Sequence, residues 1–226
     1  MLYPRDTQVP DVNFYRRRKV IRRIGTLDRP FRGNDRDPAE NPQRYLLPDP
    51  LVRFKITMAD DLEKKLNAGM KAMDEGDFKK AYSAFKKLCA ENPDNADCWY
   101  YKAECGSMAS GMFGAKVSNE EIMEAYNKAI ELDAENADYY QSYGLFCISI
   151  NKYDEAEKAY NEAAECDESR AASLYSEFAV EYFNNVMATY GEIMEDPKAR
   201  APYAKKALEY MLKALEIEPE EAKTLL

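Results

Sequence analysis

Residues 137–170 read ADYYQSYGLFCISINKYDEAEKAYNEAAECDESR, and the stretch 62–95 repeats their pattern of small and aromatic residues over the same length. A glycine stands eighth in each stretch, as Gly69 and Gly144. A repeat of about 34 residues is typical of helix pairs that stack in a row, because one such pair cannot bury its apolar face alone. The two stretches therefore predict an array of stacked helix pairs.

Small and aromatic residues at matching places indicate how the helices of each pair meet. The second helix carries a small residue, Ala81 or Ala156, and an aromatic residue four positions later, Phe85 or Tyr160. Residues four apart lie on the same helix face, so we expect these rings to fill the space beside the glycine of the first helix. Residues that favour turns or end helices separate the helices. They are Gly76-Asp77, Asn151-Lys152 and Asn92-Pro93-Asp94.

The residues that the two stretches share resemble the tetratricopeptide repeat family, whose helix–turn–helix units bind other proteins. The resemblance implies an all-α fold, a right-handed α-solenoid of about four units that follows an extended or disordered N-terminal arm. The second and fourth units carry insertions, being seven and seventeen residues longer than the regular period. Ser118 followed by Glu121 predicts a capping box that restarts the helix after the first insertion. The units are placed at about 62–95, 96–136, 137–170 and 171–221.

Charge divides the chain into two parts. Residues 1–57 contain 13 Lys/Arg, 7 Asp/Glu and seven of the eleven prolines, a net charge of +6, whereas residues 58–226 carry a net charge of −15. We predict that the first part is a basic, Pro/Arg-rich and disordered arm and that the second part is the repeat domain. Clustered basic residues of the arm could contact nucleic acid, because they neutralise phosphates. They are Arg16, Arg17, Arg18, Lys19, Arg22 and Arg23.

Two other interpretations of the arm stay open. It could lie along the acidic repeats, in the same chain or between chains, because the two parts have opposite charge. It could also be an unstructured leader, or sequence upstream of the true start, since Met58 is followed by Asp60 and Glu63 at the spacing of a helix cap. We favour the leader, and mass spectrometry of the natively expressed N-terminus would test it.

The composition argues against catalysis and against membrane insertion. The chain has no histidine, so a Ser-His or Cys-His nucleophile is excluded, and it has no GxxxxGK[ST] phosphate loop. Its five cysteines lack the spacing of metal ligands, and we interpret them as buried residues in a reducing compartment. No stretch approaches the roughly 18 apolar residues of a membrane helix, and no signal peptide is recognised. We therefore expect a cytoplasmic protein that is not an enzyme and holds no cofactor or metal.

The resemblance also implies a peptide-binding groove. In the family, the first helices line a concave surface through their second, fifth, sixth, ninth and twelfth positions. At these positions the four units carry tyrosines, methionines and carboxylates but no lysine or arginine. The groove residues that we predict are Leu66, Asn67, Met70, Asp97, Tyr100, Tyr101, Glu104, Asp138, Gln141, Leu145, Tyr175 and Tyr182.

Such a groove suits a basic or apolar segment of another protein, which predicts an interaction adaptor or scaffold. Family members that grip the terminal carboxylate of a chaperone tail use basic or amide side chains where this chain has Leu66, Met70, Asp138 and Ser142, so that activity is not expected. Several of the tyrosines could instead pack on neighbouring helices. Self-assembly is a further alternative, because only residues 220–226 remain to cover the last unit, whereas solenoids normally end in a polar cap.

Overall fold

The computed structural model describes residues 50–114 and 116–222, and their regular secondary structure is entirely helical. Short 3₁₀ turns at Glu168–Arg170 and Gly191–Glu195 precede and follow the seventh helix. No helix in these two ranges is both long and apolar enough to cross a membrane. The α-helices are α1 (Pro50–Asp74), α2 (Phe78–Glu91), α3 (Ala96–Phe113), α4 (Asn119–Leu132), α5 (Ala137–Ser149), α6 (Tyr153–Cys166), α7 (Ala171–Tyr190), α8 (Pro197–Ala214) and α9 (Pro219–Ala222).

The helices pack in the order of the sequence. They pair as α1 with α2, α3 with α4, α5 with α6 and α7 with α8, and each pair contacts the next one. First helices also contact each other, α3 with α5 and α5 with α7. This arrangement confirms the predicted all-α solenoid of about four helix–turn–helix units.

The two template glycines lie where first and second helices approach closely. A Cβ atom on Gly69 would lie 2.6 Å from Cζ of Phe85, and one on Gly144 would lie 2.7 Å from Cδ2 of Tyr160. Both separations are shorter than carbon atoms tolerate, and both rings are fully buried, so they cannot move away easily. The predicted role of these glycines is confirmed.

Side-chain caps explain where several helices begin. The Asp77 carboxylate accepts a hydrogen bond from the backbone N–H of Lys80 at 3.1 Å, at the start of α2. Ser118 Oγ accepts one from the N–H of Glu121 at 3.2 Å, which confirms the predicted restart of the helix at α4. Each bond satisfies a backbone donor that the first helical turn leaves without a partner.

The extra residues of the second and fourth units lengthen their first helices. In the second unit α3 runs to Phe113, and Gly114 ends it with a left-handed φ of 60°. In the fourth unit α7 has 20 residues, and a 3₁₀ turn follows in which Met194 is buried. Asp196 then caps α8 through the N–H of Lys198 at 3.0 Å.

Three clusters of buried side chains follow one another along the array, each shared by neighbouring helices. Four of the cysteines are buried within the array, but Cys166 is exposed, so the interpretation of all five as buried is wrong for this residue. Cys166 lies at the last position of α6, where one side of the helix faces solvent.

Several predictions concern residues that the structure does not describe. The six basic residues proposed for nucleic-acid contact, Arg16, Arg17, Arg18, Lys19, Arg22 and Arg23, lie outside the described residues, as does the predicted arm up to residue 49. Helix α1 begins at Pro50, so Met58 lies within a helix. The division of the chain at residue 57 stays a prediction, as do the three interpretations of the arm.

Candidate functional site

The candidate binding surface consists of side chains on the four first helices, and we call it the first-helix face. We define it by the side chains of α1, α3, α5 and α7 that occupy the predicted groove positions, or their equivalents in α7, and remain at least partly exposed. They are Glu63, Leu66, Asn67, Met70, Met73, Asp97, Tyr101, Ser107, Asp138, Leu145, Ser173, Ser176, Glu177, Val180 and Phe183.

In the first unit, the three predicted residues differ in exposure. Leu66 and Met70 are half-buried and pack against the apolar cluster that Phe85 and Cys98 help to form. Asn67 is exposed. Because Tyr101 of α3 packs against the same cluster, the first two units present a continuous, partly apolar surface.

In the second unit, two predicted residues are more deeply buried than a groove position requires. Tyr100 is 9% exposed, its ring stacks on Tyr139 at 4.8 Å, and its hydroxyl lies 3.1 Å from Ser142 Oγ. Glu104 is also 9% exposed, and its carboxylate accepts a hydrogen bond from the Tyr126 hydroxyl. These residues hold helices together beneath the face, so the alternative that tyrosines pack on neighbouring helices holds for Tyr100.

The other two residues of the second unit reach the surface. Asp97 is exposed, and its carboxylate accepts a hydrogen bond of 2.6 Å from the Tyr139 hydroxyl. Tyr101 is half-buried and stacks on Phe85 at 5.2 Å. Burial, together with the nearby Asp97 carboxylate, raises the pKa of the Tyr101 phenol to about 12, so this hydroxyl is a neutral hydrogen-bond donor at physiological pH.

In the third unit, the three predicted residues have different surroundings, and Gln141 contacts the fourth unit. The Asp138 carboxylate forms an ion pair with Nη1 of Arg170 at 2.9 Å, which neutralises much of the carboxylate charge. Gln141 is 7% exposed, and its Nε2 donates a hydrogen bond to the Glu177 carboxylate. Leu145 is half-buried and keeps an apolar side chain on the first-helix face.

In the fourth unit, the predicted groove positions do not match the exposed side of α7. Tyr182 is 3% exposed and stacks on Phe178, with ring centroids 5.5 Å apart. Tyr175 is half-buried and packs edge-on against Tyr210 of α8 at 5.8 Å. The large apolar residue of α7 that is exposed is instead Val180, at 48%. The placement of Tyr182 on an open groove is therefore corrected, and the surface of α7 is displaced by one residue from the prediction.

The displacement has a physical cause in the sequence. A 34-residue period aligns Phe178 of the fourth unit with Gly144 of the third unit. At Gly144 even a Cβ atom would lie too close to the Tyr160 ring, so a phenylalanine side chain does not fit in the same packing. The linker before α7 forms the 3₁₀ turn Glu168–Arg170, and Arg170 makes no side-chain cap, in contrast to Asn136 before α5. Helix α7 buries Ala179 instead, at 2% exposure.

Glu177 and Glu181 were missed by sequence reasoning. Glu177 meets Gln141 and also accepts a hydrogen bond from the Tyr160 hydroxyl at 3.1 Å. Burial, followed by the charge of Glu177, raises the pKa of the Glu181 carboxyl. The succession of a bulky Phe178 and a small Ala179 was the signal that could have located these carboxylates.

The described residues offer no metal site, since no group of three or more Cys, Asp or Glu side chains lies in a suitable arrangement there. Burial raises the pKa of the Cys105 and Cys147 thiols, which keeps them protonated and unreactive. What the site offers is a surface of apolar, amide and carboxylate groups.

Comparisons with known proteins identify one repeat and the fold. The model of the tetratricopeptide repeat matches residues 137–170, the stretch in which Gly144, Ala156 and Tyr160 carry the repeat pattern. A crystal structure of MamA has a TM-score of 0.53 and 23% identity, covering 75% of this chain and 86% of MamA. A second MamA crystal structure has a TM-score of 0.53 and 24% identity, covering 76% and 82%. Pseudomonas aeruginosa pilF has a TM-score of 0.47 and 15% identity, covering 69% and 77%. No curated protein sequence matches the chain.

Proposed function

We propose that this chain, whose residues 137–170 match the model of the tetratricopeptide repeat, binds a basic or apolar segment of another protein along its first-helix face. Proteins of this family generally mediate contacts between proteins and typically act as adaptors without enzymatic activity. Stacked helical repeats are suited to this role, because neighbouring units join their surfaces into one extended surface. The identity of that surface in this chain and the chemistry of its partner are our proposals.

One observation carries the proposal: the first-helix face combines accessible apolar groups with carboxylates. Val180 is 48% exposed, and Met70 and Leu145 are partly exposed, so apolar area is available on three of the four units. Glu63 and Asp97 are exposed among them. A partner segment with apolar side chains would remove this area from water, and basic side chains would complement the carboxylates.

The buried groove residues contribute indirectly to this surface. Tyr100, Glu104 and Gln141 tie neighbouring helices together through hydrogen bonds, so they fix the spacing of the exposed groups. A double variant that combines Tyr101→Ala with Glu104→Lys would consequently place a charge in a buried site as well as alter the face. Exposed positions give a cleaner test.

The test compares two double variants of the full chain in affinity capture from the native cell, with partners quantified by mass spectrometry. Asn67→Lys combined with Val180→Lys adds two positive charges to exposed positions of the first-helix face. Ser83→Lys combined with Ala90→Lys adds the same charge to exposed positions of α2. We expect the recovery of specific partners to fall about tenfold or more with the variant of the first-helix face, because it repels a basic segment. Recovery with the α2 variant should be unchanged.

Equal recovery of the same partners by both double variants would reject the first-helix face as the binding surface. Thermal unfolding of both proteins is the control for folding. All four substitutions replace exposed side chains, and we expect each to change stability by less than about 0.5 kcal/mol.

A further inference from the structure

The junction between α5 and α7 contains a buried polar side chain that is only half satisfied. Gln141 is 7% exposed, and its Nε2 donates to the Glu177 carboxylate. Its Oε1 is buried and accepts no hydrogen bond from the described part of the protein, and it is the one buried side-chain nitrogen or oxygen atom there of which this is true. An unsatisfied buried acceptor costs about 1–3 kcal/mol, so such atoms call for a specific explanation.

The Glu177 carboxylate that bonds to this amide has a second carboxylate, Glu181, on the next turn of α7. Glu177 accepts hydrogen bonds from Gln141 and from the Tyr160 hydroxyl, both of which are neutral donors. Glu181 has no hydrogen bond or ion pair with any described residue, and burial and the charge of Glu177 disfavour its ionised form. Neither carboxylate has a lysine or arginine partner within the described ranges. The junction therefore has more acceptors than donors, and it has negative charge without a counter-charge.

We propose that the junction of α5 and α7 binds the guanidinium group of an arginine that the partner protein presents, an inference that rests on the proposed function. A guanidinium carries five N–H donors in a rigid plane, so it can bond to Glu181 and Glu177 and still offer a donor to Gln141. The Glu181 side chain is exposed, although nearby protein atoms partly desolvate its carboxyl group, so the arginine meets this carboxylate first. A bond from the guanidinium to the Gln141 oxygen requires the amide side chain to turn outward from between the helices, because its Oε1 is buried in this structure.

A divalent cation fits the junction less well. Hard divalent cations prefer several oxygen ligands, and no group of three or more Asp, Glu or Cys side chains in the described residues is arranged to hold one. An arginine side chain needs only the two carboxylates and one amide oxygen. Val180 lies on the same helix, between Glu177 and Glu181 in sequence, and offers apolar surface for the methylene groups of the arginine.

The test measures the affinity of the full chain for two short fluorescein-labelled peptides by fluorescence anisotropy. Both peptides consist of leucine and serine around one central residue, which is arginine in the first and citrulline in the second. Citrulline has nearly the shape of arginine but no charge. We expect the arginine peptide to bind about tenfold more tightly, because hydrogen bonds between charged groups are about twice as strong as neutral ones.

Substitutions then locate the preference. Glu181→Gln removes one charge from the junction and should reduce the preference for arginine to less than about threefold, whereas Glu124→Gln, the same change at an exposed position of α4, should leave it unchanged. Glu177→Gln should act in the same direction as Glu181→Gln. This second variant guards against a loss that reflects local unfolding, and the thermal unfolding of each variant is recorded.

Equal affinity of the wild type for the two peptides, or no binding of either, would overturn the arginine site. So would a preference that persists in both junction variants. In each of these cases the proposed function still stands if Asn67→Lys with Val180→Lys loses its native partners in the capture experiment. If that variant keeps them, the proposed function fails separately.

Discussion

The third and fourth helix pairs start from the same 34-residue spacing and pack differently. In the third, α5 and α6 have 13 and 14 residues, and Gly144 allows the ring of Tyr160 to lie against the backbone of α5. In the fourth, α7 and α8 have 20 and 18 residues, and Phe178 packs against Tyr160 of the preceding unit and against Tyr210 of α8.

The difference shows what a repeat period constrains. It fixes where helices begin, because α5 and α7 start 34 residues apart, at Ala137 and Ala171. It does not fix which side of a helix faces the core, since that depends on which residue is small enough for close approach. In α7, a bulky residue at the glycine position and a 3₁₀ turn before the helix accompany the change of the exposed side. That side is the one expected to bind a partner.

The largest expected effect tests the packing of the fourth pair directly. Phe178→Ala should lower the free energy of unfolding by about 3–5 kcal/mol, because it removes a fully buried ring that contacts three other aromatic rings. Val180→Ala, two residues away and exposed, should change it by less than about 0.5 kcal/mol. Urea unfolding monitored by circular dichroism measures both. Similar losses for the two variants would contradict the side of α7 that we assign to the core.

The next effect concerns the close approach in the third pair. Gly144→Ala should lower the free energy of unfolding by about 1–3 kcal/mol, because the new Cβ would lie 2.7 Å from the Tyr160 ring. Gly111→Ala is the matched control within helix α3, where a Cβ would meet no atom within 4 Å. This control should raise stability by about 0.5–1 kcal/mol through helix propensity. A rise in stability for both variants would show that α5 and α6 tolerate a wider separation than the structure has.

Much of the regular packing could be predicted from the sequence because it depends on local spacing. Gly69 and Gly144 were recognised by their position in the repeat, and the cap at Ser118 by a four-residue pattern. The surface of α7 and the burial of Glu104 could not be predicted in this way. Glu104 receives its hydrogen bond from Tyr126, and such partners on different helices follow from the three-dimensional packing rather than from sequence separation.

The pKa values of two carboxylates in the third and fourth pairs are shifted in opposite directions, so their contributions to stability should change with pH in opposite directions. Burial alone would raise the pKa of Glu157, but hydrogen bonds from Lys206 at 2.6 Å and Tyr210 at 2.9 Å lower it overall. The pKa of Glu181 is raised, by burial and then by Glu177. A lowered pKa in the folded state stabilises the protein above the unfolded pKa, and this contribution is lost as the pH falls through the folded pKa. A raised pKa has the reverse effect, so stability falls as the pH rises from the unfolded pKa through the folded one.

We therefore expect Glu157→Gln to lower the stability at pH 7 and Glu181→Gln to raise it. Because both carboxylates are partly exposed, solvent screening should keep each effect to about 0.5–1 kcal/mol. The difference in stability between each variant and the wild type should shrink at acidic pH, below the pKa of an unfolded glutamic acid, about 4.3. Urea titrations across this pH range measure them. The same sign for both variants at pH 7 would contradict the assigned environments.

The smallest expected effect compares the turns inside the first and third pairs. Asp77 and Lys152 occupy the same place before the second helix and have nearly the same backbone, with φ and ψ of −86° and 66° in one and −91° and 70° in the other. Asp77 caps α2, whereas Lys152 makes no side-chain cap on α6. Lys152→Asp should therefore supply a missing cap and place a negative charge at the N-terminal end of the α6 dipole.

This gain exceeds the loss of the exposed ion pair between Lys152 and Glu155, so we expect a net rise in stability of about 0.5 kcal/mol. The reciprocal substitution, Asp77→Lys, should lower stability by about 1 kcal/mol, because it removes a cap that α2 already has. Denaturant midpoints resolve changes of this size when the slope is unchanged. A fall in stability for Lys152→Asp would mean that equal backbone geometry does not make the turns interchangeable, and that the first and third pairs are less alike than their shared glycine and aromatic residues indicate.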